Sequence, residues 1–228
     1  MRAAAVLTAF IALGAGGGMG SLFGWDSDAD TSTLQAVLEK GWEHVTAGST
    51  VKLAHVKSGT RLTLPQVSYG TGSQQQAITA QGDASTTKGL WRIEVDDVAL
   101  RGSPIACGSR LRLVNSDTDH SLHSHSAHKS PISGSQEVSG FDGRDNGDLW
   151  TVECIEKDAR TWLRETPVHF KHVDTGKYLA SLPNKKYRQP IVGHQEVNAG
   201  SQPDSNTQWM ALEGYYFARR TPAASTTA

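Results

Sequence analysis

The feature that most constrains this chain is the interval between three of its tryptophans. Trp91, Trp150 and Trp209 follow one another at a spacing of 59 residues. Equal spacing of so rare and bulky a residue marks an internal repeat. Each repeat opens on one pattern, seen in the segments 50–56 (TVKLAHV), 110–116 (RLRLVNS) and 167–173 (PVHFKHV). Apolar residues stand two apart in each: Val51 and Leu53, Leu111 and Leu113, Val168 and Phe170. Period two is the mark of a strand with one buried face. Eleven residues after the first apolar position comes a leucine, Leu62, Leu122 or Leu179. Turn residues intervene (Ser58-Gly59, Asp117-Thr118-Asp119, Asp174-Thr175-Gly176), so each segment predicts a hairpin. A second shared element, Gly-x-Gln-Glu-Val, occurs at 134–138 and 193–197, with a blurred copy, Gln75-Gln76-Ala77-Ile78, in the first repeat.

Three four-stranded units of this length close on themselves. One hairpin pair from each builds a six-stranded barrel, the remaining three hairpins cap it, and no strand edge stays open. The fold predicted is all-β, a β-trefoil with pseudo-threefold symmetry. The alternative, a solenoid, needs polar capping repeats at both ends, and none is present. The closing tryptophans read as core.

Residues 1–20 read as a secretory signal peptide, with Arg2 as the charged start, Ala3–Leu13 as the apolar stretch and small residues after it. Residues 21–44 form an extension in which Ser32 and Gln35 have capping-box spacing, predicting a short helix over Thr33–Lys40. The repeats follow over residues 45–103, 104–160 and 161–217, and 218–228 read as a disordered tail. With 22 Lys plus Arg against 23 Asp plus Glu, the net charge of -1 argues against nucleic-acid binding. No apolar run of 18 residues exists, so no membrane-spanning helix is expected. No Asn-x-Ser/Thr sequon is present.

The run Leu122-His123-Ser124-His125, then Ser130 to Ser139, then Asp148-Leu149-Trp150-Thr151-Val152, resembles a MIR repeat. That module is shared by protein O-mannosyltransferases and by inositol trisphosphate and ryanodine receptors. A leader followed by three MIR repeats resembles the stromal cell-derived factor 2 family, from about Glu43 to Arg219. The match weakens where Leu62-Thr63-Leu64-Pro65 and Leu179-Ala180-Ser181-Leu182 replace Leu-His-Ser-His, and where Ser225-Thr226-Thr227-Ala228 stands in place of a retrieval tetrapeptide. The resemblance implies a protein of the endoplasmic-reticulum lumen, with secretion left open. It also implies a role in protein quality control beside a DnaJ-type co-chaperone and the lumenal heat-shock chaperone, acting on unfolded or O-mannosylated clients.

Four histidines, His120, His123, His125 and His128, fall within nine residues. The pleat predicts His123 and His125 on one face and His120 and His128 in flanking loops; no Cys or carboxylate is paired with them locally in the sequence. No metal or other cofactor is expected, because structural metal sites need a closed set of ligands. A Ser124, His125, Asp148 triad can be written on paper, but nothing orders it. Glu137 and Glu196 occupy equivalent positions of different repeats and should be held apart by the symmetry, which argues against paired-carboxylate chemistry. The chain therefore reads as no enzyme. Candidate ligand or partner residues are His123, His125, Gln136, Glu137, Gln195 and Glu196; the Gln-Glu pairs suit either sugar hydroxyls or internal hydrogen bonds to the hairpin caps. A secreted lectin-like module binding mannose-type glycans is the alternative function. Cys107 and Cys154 fall on the first and last strands of the second repeat, neighbours in a trefoil barrel, and predict a disulfide in an oxidising compartment; buried free thiols are the alternative.

Overall fold

The computed structural model describes residues 40–218 except Ala84. The predicted leader, the helix over 33–40 apart from its last residue, and the tail beyond Ala218 lie outside the described residues. Within them the chain is all-β and forms thirteen strands: β1 (Thr50–His55), β2 (Arg61–Thr63), β3 (Gln76–Ala77), β4 (Thr79–Gln81), β5 (Leu90–Glu94), β6 (Arg110–Asn115), β7 (Ser121–Lys129), β8 (Gln136–Phe141), β9 (Trp150–Cys154), β10 (Val168–His172), β11 (Tyr178–Lys186), β12 (Gln195–Gly200) and β13 (Trp209–Tyr215).

The pairing closes a ring. β1 pairs β5, β5 pairs β6, β6 pairs β9, β9 pairs β10, β10 pairs β13, and β13 returns to β1, all antiparallel. This is a six-stranded barrel made of the first and last strands of three units. The inner strands form the cap: β2 with β4, β7 with β8, β11 with β12, tied to one another by β4–β12, β8–β12 and β3–β8. The fold is the predicted β-trefoil.

The repeated apolar pairs fill the barrel. Val51, Leu53, Leu111, Leu113, Val168 and Phe170 are all buried, as are Trp91, Trp150 and Trp209. Each indole Nε1–H donates to the carbonyl of its own repeat's leucine: Trp91 to Leu62 at 2.9 Å, Trp150 to Leu122 at 2.8 Å, Trp209 to Leu179 at 2.9 Å. A buried indole N–H usually finds such a partner, although that of Trp162 has none among the described residues. The spacing of 59 and the trailing leucine are therefore two halves of one contact.

The hairpin turns repeat as well. Gly59, Asp119 and Gly176 each take a left-handed backbone, with φ of 67°, 57° and 67°. Each returns its N–H to the carbonyl four residues earlier, on His55, Asn115 and His172. Those three side chains then cross to the neighbouring unit. His55 Nε2 donates to the Asn206 carbonyl at 3.0 Å, Asn115 Nδ2 to Lys88 at 2.9 Å, and His172 Nε2 to Gly147 at 2.9 Å. The accepting positions 88, 147 and 206 are again 59 apart, so the units interlock in a closed cycle.

Cys107 and Cys154 form a disulfide with Cα atoms 5.5 Å apart. Cys107 sits in the turn before β6, not on the strand itself, where its N–H donates to the Arg160 carbonyl at 3.0 Å. Cys154 ends β9, the barrel neighbour of β6.

Candidate functional site

At the cap, each hairpin loop leans on the inner strand of the next unit. Glu137, on β8, accepts a hydrogen bond from the Ser73 hydroxyl of the first loop. Glu196, on β12, accepts from the Ser130 hydroxyl of the second loop, from the Ser133 N–H at 2.9 Å and from the Ile132 N–H at 3.3 Å. Both carboxylates are buried. The preceding glutamines also bond within the cap, although Gln136 Oε1 and Glu137 Oε2 are buried without a partner among the described residues. Gln136 Nε2 donates to Ser124 Oγ at 2.8 Å and Thr175 Oγ1 at 3.0 Å. Gln195 Oε1 accepts from Ser58 at 3.1 Å, Thr60 at 3.3 Å and Ser181 at 3.2 Å. Of the two roles the sequence left open for these pairs, the geometry displays internal hydrogen bonding to the caps. The motif's glycines, Gly134 and Gly193, adopt φ of 74° and 82°, which is why the turn before each glutamine requires glycine.

His123 and His125 do not act together. β7 leaves the body after Ser124, so His123 is buried and His125 is exposed. The strand runs on to Lys129, which places His128 within it and not in a flanking loop, its ring 6.4 Å from that of His125. His123 has a carboxylate partner from farther along the chain: its Nδ1–H donates to Asp148 Oδ1 at 2.9 Å, with Asp145 at 3.5 Å. The sequence separation of 25 residues hid the pair. The paper triad is not assembled, because Asp148 is on His123 and the Ser124 hydroxyl donates to the Glu137 carbonyl at 2.6 Å.

His123, Asp145 and Asp148 each bring one ligand atom within 4.8 Å of the others. Both carboxylates already serve the local turn: Asp148 also accepts from the Asp145 N–H at 2.9 Å, and Asp145 accepts from the Gly147 N–H at 2.7 Å. A cation here would share its ligands with a complete capping box. The trio fits a structural clamp better than a metal centre.

Two tyrosines complete the cap. Tyr69 donates to the Val138 carbonyl at 3.0 Å and lies 3.5 Å from the Tyr187 hydroxyl. Burial raises both phenols, Tyr187 to about 12.

The first unit lacks the glutamate: the strand corresponding to β8 and β12 is broken at Ile78 into β3 and β4. The third loop, which meets this unit, is held by His194 Nδ1 on Thr79 Oγ1 at 2.9 Å. Beside it opens a groove of about 600 Å³, lined by residues of the first and third units, among them Val67, Lys88, Ile191, Val192 and His194. Sequence reading missed this groove. The signal was present in the blurred copy ending Ala77-Ile78, a departure from the repeat at its most regular position.

The MIR domain family matches residues 43–148. Human stromal cell-derived factor 2 is 40% identical over 177 residues, covering 75% of this chain and 82% of that protein. The crystal structure of the SDF2-like protein from Arabidopsis thaliana superposes with a TM-score of 0.74 at 34% identity, covering 78% of this chain and 99% of that one. In the Saccharomyces cerevisiae Pmt1-Pmt2 O-mannosyltransferase complex, 29% of the matched chain covers 84% of this one, with a TM-score of 0.68 at 24% identity, a likeness of fold. Barrel, cap and repeat motifs thus define a MIR-domain trefoil. Within that class, the chain belongs to the stromal cell-derived factor 2 family.

Proposed function

We propose that this chain is a non-enzymatic adaptor of protein quality control in the endoplasmic-reticulum lumen. It joins a DnaJ-type co-chaperone and the lumenal heat-shock chaperone to unfolded or O-mannosylated clients. The observation that carries the reading is near-full-length kinship: the chain spans 82% of human stromal cell-derived factor 2 at 40% identity. The geometry supports the non-enzymatic part. The cap's glutamates, glutamines and buried histidine bind the protein's own loops. Where a hydroxyl meets an imidazole in the hairpin turns, Ser58 on His55 and Thr175 on His172, the ring's Nε2 is held by a backbone carbonyl, and no carboxylate among the described residues orients it as a general base. The disulfide agrees with an oxidising lumen.

The cap gives the lectin alternative less support. Among the described residues the exposed aromatics are Tyr215 and Phe217; Tyr215 pairs with Thr50 at the start of β1, away from the Gln-Glu clusters. The test is an aggregation assay in which a denatured client is diluted with the purified chain, with a DnaJ-type co-chaperone, or with both. Suppression by the pair beyond either component supports the adaptor. Catalytic turnover of a glycoside, ester or peptide by the chain alone overturns it.

A further inference from the structure

In two of the three units a glutamate from the next unit clamps the hairpin loop. At the junction of the third loop with the first unit, that carboxylate is replaced by Ile78, which is buried and apolar. The groove at this junction carries two basic side chains, Lys88 and His194, and no acid among its lining residues. The acids nearest in sequence are committed elsewhere. Asp83 accepts from the Ser85 N–H at 2.9 Å and hydroxyl at 2.6 Å, and Glu196 is bound by the second loop.

Lys88 rests on a rigid base. Its backbone belongs to a single 3₁₀ turn capped by Thr86, and its carbonyl accepts from the Leu64 N–H and from Asn115 Nδ2. Its ammonium group has only a long contact, 3.5 Å, to the Pro65 carbonyl. His194 is fixed through Nδ1 on Thr79, leaving Nε2 for a ligand. Burial first, and then the Lys88 charge, hold the His194 imidazole below its ordinary range; the second cause is the field of a cation without a counter-charge. The rest of the lining is mixed: Val67, Pro190, Ile191 and the strongly exposed Val192 form an aliphatic strip, and Gln81, Thr86 and Gln189 add polar groups that can meet a peptide backbone.

We infer that this groove binds an extended peptide segment carrying an Asp or Glu side chain, whose carboxylate meets Lys88 and His194 while neighbouring apolar side chains lie on the Val67–Val192 wall. The ligand carboxylate thereby takes the electrostatic place that Glu137 and Glu196 fill in the other junctions. A charge-assisted pair in a half-buried groove discriminates strongly between an acid and its amide. A neutral mannose oligomer offers Lys88 no charge, and among the described residues no Trp, Tyr or Phe lines the groove to stack on a sugar ring. The inference rests on the adaptor reading only for where such peptides come from, namely unfolded or partner chains.

The test uses the full chain and two fluorescein-labelled peptides, one alternating valine with glutamate and its twin alternating valine with glutamine. Fluorescence polarisation should show the acidic peptide binding at least about tenfold tighter than the twin. Lys88→Glu should abolish that preference and Lys88→Arg should keep it. Val192→Asp, at an exposed position that leaves the fold intact, should weaken the acidic peptide by repulsion. Amide resonances of Lys88, Gly193 and His194 should shift on titration. Equal binding of the two peptides, unchanged binding by Lys88→Glu, or shifts at these amides with a mannose oligomer in place of the peptide would overturn the inference. Acid-selective peptide binding without co-chaperone binding sustains this inference and defeats the adaptor reading; co-chaperone binding without acid selectivity does the reverse.

Discussion

The indole of Trp150 donates to the carbonyl of Leu122 at 2.8 Å, and that bond closes the second repeat on itself. Trp150→Phe removes the donor, leaves a buried carbonyl without a partner and opens part of a cavity. Together these should cost about 2–4 kcal/mol. Urea denaturation should show a lower midpoint with unchanged slope. Trp91→Phe and Trp209→Phe should cost similar amounts, because each makes the same bond in its own unit. A loss confined to one of the three would contradict the symmetry argument.

The disulfide staples the second unit. Cys107 and Cys154 are 47 positions apart, and the chain-entropy model values closing such a loop at about 4 kcal/mol at 25 °C. Thiol titration of the denatured, unreduced chain should find no free thiol. The Cys107→Ser, Cys154→Ser double variant should unfold at markedly lower urea. Two titratable thiols would refute the pairing.

Glu196 is expected to act as a structural clamp for the second loop. Glu196→Ala strips the Ser130 hydroxyl and the Ser133 N–H of their acceptor. A loss of about 2–3 kcal/mol should follow, since buried donors lose a charged partner. Hydrogen exchange at Ser133 should rise more than exchange at strand β6. Charge reversal at Glu137 or Glu196 therefore reports on folding before it reports on any ligand.

Acid should destabilise the fold through two histidines. Burial is the main cause holding His55 and His172 below their ordinary value; Lys57 and Asp204 act weakly on His55, and Asp174, His123 and His125 on His172. Each ring is satisfied in its neutral form, with Nε2–H on a carbonyl and Nδ1 on a hydroxyl. The folded pKa lies below the unfolded one, so the unfolded chain takes up the proton first as pH falls. Stability is therefore whole above about pH 7, declines as pH drops through about 6.5, and levels once the folded rings are also protonated. The slope is at most about 1.4 kcal/mol per pH unit for each histidine. Thermal melts between about pH 7.5 and 5 should show the decline, and His55→Gln with His172→Gln should flatten it. A flat wild-type profile would contradict the account.

The barrel was legible because its determinants recur: a period of two for each outer strand and a Trp–Leu pair in every unit. The hairpin turns were legible for the same reason, since Gly59, Asp119 and Gly176 each follow a fixed strand end. The site was less so. His123 finds Asp148 only through the packing of β7 on the turn before β9, a relationship with no local sequence signature. His128 belongs to a strand whose pairing with β8 is interrupted between Ser124 and Lys129, which periodicity over a few residues cannot show. The groove arises where the repeat fails, at Ile78, and a pattern search rewards agreement and passes over departures.

Direct binding tests the central claim. The purified full chain should bind an immobilised DnaJ-type co-chaperone saturably, with defined stoichiometry and no dependence on added sugar. No measurable binding to the co-chaperone, together with saturable binding of a mannose oligomer, would contradict the adaptor account and establish the lectin in its place.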